Sequence, residues 1–195
     1  MLGSVCRRAG HHDRAHALTL GAADQLGLSG KTPDPEHLSL HGVLICSAGY
    51  AAARPGDRDR AGDLVSEAAA TADRLAGHSA RRRELLANVS SHQVSAAYVL
   101  GDAGSAWHHA RAARLDSFSD PERQGRFLVD VALAHAQWDK PEQAYRALIE
   151  AGHRAPGEVR TRSAVRGLVA DLMRHRNHAA PPGLRDLAVR THVMT

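Results

Sequence analysis

Residues 56–68 read GDRDRAGDLVSEA, and this short stretch decides the fold. It opens on a glycine and a short acidic residue, reaches Ala61 five positions on, and places a second alanine, Ala68, seven positions later. Glycine is the usual residue at a helix end that turns left-handed. Aspartate is a favoured N-cap. Residues seven apart share one face of a helix. The stretch is therefore the turn and second helix of a helical hairpin whose small side chains admit a close partner. The pattern recurs as Gly10, Ala15 and Ala22, as Gly101, Ala106 and Ala113, and, with Asp for Gly, as Asp139, Ala144 and Ala151. The leading alanines are spaced 46, 45 and 38 residues apart, a spacing that marks an array of helical repeats.

The flanking sequence supports the same reading. Asp34-Pro35-Glu36 and Asp120-Pro121-Glu122 each set a capping Asp before a Pro and an acid, and Lys140-Pro141-Glu142 is a shorter version. Pro at the first helical position loses no hydrogen bond, and an acid in the first turn complements the helix dipole. Between breaks near 27–34, 54–58, 77–81, 100–104, 114–120, 138–140 and 155–157, apolar residues recur with helical period, as in Leu64, Val65, Ala68, Ala72 and Leu75. Aromatic residues are only 4% of the chain, while apolar residues are 43% and charged residues 24%. An alanine-rich, aromatic-poor core suits packed helices and excludes a β-sandwich, whose strands favour β-branched and aromatic side chains. No stretch approaches a membrane span, and Met1 to Gly10 lacks the apolar core of a secretion signal. Cys6 and Cys46 are too few for a disulfide framework or a structural zinc site, so a cytoplasmic setting is expected.

These hairpins resemble the tetratricopeptide repeat, in which a turn Gly is followed by Ala, a large apolar residue, Ala and Pro. Val65 and Leu148 stand at the large apolar position, Pro156 at the closing Pro, and Ala48-Gly49 at the Leu-Gly of the first helix. The signature Trp and Tyr of the first helix are absent, and the spacings exceed the usual period of about 34 residues. The resemblance implies an all-α, divergent tetratricopeptide-like solenoid of antiparallel hairpins wound as a right-handed superhelix. It divides a single domain, 1–195, into a partial first repeat (1–30), hairpins at 35–77, 82–116 and 120–155, and C-terminal capping helices at 158–191, with one long helix expected over 158–176. Because the first turn is at Gly10, the array is expected to begin in mid-repeat, as a truncated copy or fragment would.

Residues 40–77 (LHGVLICSAGYAAARPGDRDRAGDLVSEAAATADRLAG), 87–110 (ANVSSHQVSAAYVLGDAGSAWHHA) and 120–169 (DPERQGRFLVDVALAHAQWDKPEQAYRALIEAGHRAPGEVRTRSAVRGLV) are similar to the C-terminal regions of actinobacterial regulators that begin with an Xre-type helix-turn-helix domain. The resemblance implies a non-catalytic sensor or oligomerisation module. Its implied partners are a peptide, a small effector, a protein or a second copy of the chain. DNA would be met only through a domain absent here, and no membrane or cofactor is implied. The alternative is a free-standing interaction scaffold.

In such arrays the first helix of each hairpin lines a concave groove. The turn alignment then directs Val43, Cys46, Tyr50 and Arg54 to it from the second unit. Asn88, Ser91, His92, Ser95 and Tyr98 follow from the third, and Arg126, Asp130, Leu133 and Gln137 from the fourth. Stacked polar side chains of this kind can grip a peptide backbone, and an Asn amide both donates and accepts. Asp130 interrupts an apolar run and needs a partner if buried; Arg126, one turn earlier, is the expected one.

Other chemistry finds little support. His12 and His16, like His37 and His41, are four apart, but Asp13 and Leu38 stand where a zinc enzyme of that spacing needs Glu, so surface histidines and no metal are expected. There is no Gly-x-Ser-x-Gly elbow and no phosphate loop. Arg81-Arg82-Arg83 reads as a solvated linker. The net charge of +4 is concentrated at the end of the chain: residues 154–195 carry eight Arg against Glu158, Asp171 and Asp186. Nonspecific contact with nucleic acid through that segment is the third reading.

Overall fold

The computed structural model describes residues 5–6, 9–26, 28, 33–174 and 183–193. Parts of the expected partial first repeat, and residues 175–182 of the capping region, lie outside them. Among the described residues there are ten α-helices and no strand. They are α1 (His12–Asp24), α2 (Pro35–Ala53), α3 (Arg58–Asp73), α4 (Ser79–Val99), α5 (Ala103–Ala112), α6 (Pro121–Gln137), α7 (Pro141–Arg154), α8 (Pro156–Thr161), α9 (Ser163–Arg174) and α10 (Leu184–Arg190), with a 3-10 turn at Leu115–Ser117. None is long and apolar enough to cross a membrane.

The four aligned turns are built alike. Gly10, Gly56 and Gly101 have φ of +82°, +97° and +78°, and Asp139 has +54°. In each turn the next residue's N–H donates five residues back: His11 to Cys6 (2.9 Å), Asp57 to Ala52 (3.2 Å), Asp102 to Ala97 (2.9 Å) and Lys140 to His135 (2.9 Å). This bond satisfies a carbonyl that the ending helix leaves open. The following helix starts at once, because that residue's carbonyl accepts from the leading alanine, Ala15, Ala61, Ala106 or Ala144. Asp57 and Asp102 also cap through their side chains, accepting from Arg60 N (3.1 Å) and Ser105 N (2.9 Å).

Each leading alanine is buried. Of the second alanines, Ala68 and Ala151 are buried, but Ala22 and Ala113 are only half-buried. In α1 the neighbouring Ala23 faces the core instead. Ala113 lies past the end of α5 in extended backbone, so it never joins the helix face.

Helices of one hairpin pack together (α2 on α3, α4 on α5, α6 on α7), and successive first helices pack as well (α2 on α4, α4 on α6). Each second helix also meets the first helix of the next hairpin: α1 on α2, α3 on α4, α5 on α6. Glycines permit the closest approaches. A Cβ on Gly42 of α2 would lie 2.6 Å from Leu85 Cδ2 of α4, and one on Gly125 of α6 would lie 2.5 Å from Ala155 Cβ. Gly49 faces Val65 and the Ala61 carbonyl across its own hairpin. The apolar interior runs from Ile45, Leu64 and Val89 in one half to Phe127, Val129, Leu148 and Val169 in the other.

Two expectations about local structure are corrected. The helix over 158–176 is broken: Arg162 is extended (φ −82°, ψ 122°), separating α8 from α9. The bend lets Val159 and Val165 both enter the core. Arg81-Arg82-Arg83 is not a linker but the start of α4, where Arg82 pairs with Asp73 (2.8 Å) and Arg81 lies 3.8 Å from Glu36.

Candidate functional site

α4 and α6 bury one apolar face each, through Leu85, Val89 and Val94 and through Leu128, Val131 and Ala132. That leaves Asn88, Ser91, His92, Ser95 and Tyr98 half-buried along α4, with Asp130 half-buried on α6. Because α4 and α6 are in contact, these polar groups meet across the seam.

Asp130 is the centre. Its Oδ2 lies 2.5 Å from Ser95 Oγ, whose other acceptor is the Ser91 carbonyl at 3.0 Å; the carboxylate is the stronger acceptor for the single hydroxyl proton. Its Oδ1 accepts from Arg162 Nη1 at 3.1 Å. Arg162 Nε faces Glu158 Oε2 at 3.4 Å, and Arg126 Nη2 donates to Glu158 Oε1 at 2.9 Å. Ser95, Asp130, Arg162, Glu158 and Arg126 thus form one polar chain joining the third hairpin, the fourth and the α8–α9 bend. Burial pushes the Asp130 carboxyl above the usual carboxylate range, opposed by Arg162, the Ser95 hydroxyl and Arg126.

Arg126 is therefore not the direct partner of Asp130. With Ser95 on one oxygen, the other turns toward the bend, where Arg162 stands, and Arg126 reaches Glu158 instead. Arg162, Glu158 and Arg123 are absent from the residues singled out by sequence. Glu158 and Arg162 are four apart, which is a legible signal of a pair, but nothing local shows that Asp130 lies beside them.

The Asn88 amide is also engaged. Nδ2 donates to the Glu84 carbonyl (3.1 Å), and Oδ1 accepts from Arg123 Nη1 (3.2 Å). Arg123 in turn lies 3.6 Å from Glu84 and 3.3 Å from Asp120. His92 Nδ1 lies 2.9 Å from the Asn88 carbonyl, a partner that requires the proton on Nδ1. Gln137 Nε2 donates to the Tyr98 carbonyl at 3.2 Å, so the end of α6 is fastened to the end of α4.

The second hairpin presents a different picture. Tyr50 is half-buried and Arg54 exposed. Cys46 is fully buried, and burial pushes its thiol up to about 12, which makes it a core residue rather than a groove residue. Val43 and Leu133 are half-buried against the apolar interior. Burial and the negative charge of Asp130 raise the Tyr98 phenol, with Tyr50 adding and Arg54 opposing.

The paired histidines are not all at the surface. His37 is exposed, but His12, His16 and His41 are half-buried, because α1 packs on α2 and sets His16 Nδ1 3.2 Å from the Ala48 carbonyl. Among the described residues no group of three or more His, Cys, Asp or Glu side chains is placed to hold a metal ion. Compared with known proteins, the chain matches no family model, no curated protein and no solved structure.

Proposed function

We propose that this chain is a ligand- or partner-binding regulatory module with a divergent tetratricopeptide-like architecture, acting as the sensor or oligomerisation part of an Xre-type regulator. The single observation that carries the reading is the polar lane on the first helices, from Tyr50 and Arg54 through Ser95 and Tyr98 to Asp130 and Gln137. Supporting the architecture are the four like turns, the buried leading alanines and the close approach of Gly49 to Ala61. The first helices would form the wall of a groove that takes an extended or helical peptide. Each hairpin touches mainly its neighbours, so a ligand that bridges first helices would bias the curvature of the array and the geometry of whatever is attached to it. The quoted similarity over 40–169 supports the regulator assignment, with DNA contacted by a separate domain and a cytoplasmic location.

The test is retention of members of a randomised heptapeptide library by the purified chain, followed by small-angle scattering with the retained peptides. Saturable binding with a change in radius of gyration is expected. Absence of binding, or binding that is unaffected by Ser95→Leu in the lane, overturns the groove reading. A second copy of the chain as partner would appear instead as a concentration-dependent mass.

A further inference from the structure

α1 packs on α2 and buries Ala15, Thr19 and Ala23. Its opposite face carries Arg14, Ala17, Leu18, Gly21 and Asp24, all exposed. The aligned turns allow this face to be compared with that of the other second helices. Two and six residues after the leading alanine, α3 has Asp63 and Glu67, α7 has Arg146 and Glu150, and α5 has His108 and Ala112. α1 has Ala17 and Gly21 there, and a Cβ built on Gly21 meets nothing within 4 Å. Beside them Leu18 is 40% exposed, whereas its equivalent in α3, Leu64, is 2% exposed. The outer face of α1 is therefore bare and apolar where its counterparts carry polar groups. In the complete second hairpin Asp63 and Glu67 stay exposed, so a neighbouring helix of the array is not what meets these positions.

Charge selects the occupant. Arg14 and Asp24 are ten residues apart, about 15 Å along the helix, one at each end of the apolar patch. A second α1 laid antiparallel across this face sets Arg14 opposite Asp24 of the second copy, and Asp24 opposite its Arg14. The same register brings Ala17 against Gly21 of the second copy. A parallel arrangement would set Arg14 on Arg14 and Asp24 on Asp24. The face is thus complementary to itself, as a two-fold contact requires. Small residues at the crossing let the two axes approach closely, with Leu18 packed beside them.

We propose that the outer face of α1 is the contact surface of a homodimer. Two α1 helices pair antiparallel through Ala17, Leu18 and Gly21, closed at each end by an Arg14–Asp24 pair. The proposal gives the oligomerisation part of the reading above a surface, and it lies outside the groove, because α1 is a second helix. One helix pair buries less than the roughly 1,200–2,000 Å² of a standard stable interface, so the dimer dissociates at micromolar concentrations.

The test is sedimentation equilibrium of the purified chain from about 10 μM to about 1 mM. The variants are Leu18→Glu, Arg14→Glu and Asp24→Arg, with Asp63→Ala on α3 as control. All four positions are on helix surfaces, and circular dichroism verifies that the variants fold. Wild type and Asp63→Ala are expected to pass from one copy to two. Leu18→Glu is expected to stay at one copy. Arg14→Glu and Asp24→Arg each turn two attractions into two repulsions and are expected to weaken association about tenfold. Mixing these two variants in equal amounts restores both pairs across the contact, so the mixture is expected to associate as wild type does. A mass of one copy for wild type at every concentration overturns the proposal and leaves the face to a different protein. A dimer that ignores Leu18→Glu, or a mixture that associates no better than its components, overturns it as well. Peptide retention reads the groove separately: an α1 dimer that retains no peptide overturns the groove and leaves this contact, and retention by a wild-type monomer does the reverse.

Discussion

Arg162 donates to Asp130 across 3.1 Å, and through this one bond the bend between α8 and α9 is tied to the middle of α6. The pair is unequal: 14% of the Asp130 side chain is exposed, against 32% of Arg162. Removing Arg162 strands a largely buried carboxylate, whereas removing Arg126 leaves Glu158 its bond to Arg162. Arg162→Ala is expected to cost about 2 kcal/mol, and Arg126→Ala about 0.5 kcal/mol. Urea denaturation midpoints check the order; equal losses would refute it.

The helix glycines divide by their surroundings. Gly42→Ala and Gly125→Ala force a Cβ to within 2.6 Å and 2.5 Å of Leu85 and Ala155 and are expected to destabilise by roughly 1–3 kcal/mol. Gly62 and Gly152, also helical, have nothing within 4 Å of a built Cβ. Alanine there is expected to stabilise by up to about 1 kcal/mol. Thermal melts of the four variants should fall on opposite sides of wild type.

A turn glycine is needed for its backbone and not for space. Gly101 has φ +78° with nothing near a Cβ, so Gly101→Ala is expected to cost about 1 kcal/mol purely through the left-handed conformation. Denaturation that leaves the slope unchanged and lowers the midpoint is the expected result; no change would place the turn's stability elsewhere.

Acid acts on the buried histidines. His135 packs its ring 4.7 Å from Trp107, and its Nδ1 is buried with no hydrogen-bond partner. Burial lowers its pKa, and that of His41, below the usual histidine value of about 6.5. The unfolded chain therefore binds these protons first. The stability they contribute is present in full above the unfolded value and is lost as pH falls through it. Asp130 has the opposite sign: its raised carboxyl pKa favours protonation in the folded state. Stability is expected to fall between about pH 7 and 5, and His135→Leu should flatten that slope. A wild-type slope retained in His135→Leu would exonerate the residue. Trp107 fluorescence reports the protonation directly.

The helices and their turns were legible in the residues themselves because their causes are local. A glycine or Asp139 that adopts positive φ, a capping Asp34 or Asp120, and a Pro at the first helical position each act within a few residues. The buried leading alanines follow from the same local pattern. The lane along α4 was legible too, as polar residues at helical spacing. Its state was not: the Asn88 amide, expected to grip a peptide backbone, accepts instead from Arg123, thirty-five residues away.

What the sequence by itself determined is the all-helical character, the hairpin turns and the burial of the four leading alanines. Periodicity and capping are short-range effects, written within a turn or two of the chain. Only the tertiary structure decided which charges meet. Arg162 leaves the helix to reach Asp130, Arg126 takes Glu158 and Cys46 sinks into the core. Those outcomes depend on how successive hairpins are set against one another, through contacts such as Gly42 on Leu85 and Arg58 on Asp102. Partners thirty or more residues apart in sequence are selected by packing distance, which no local pattern encodes.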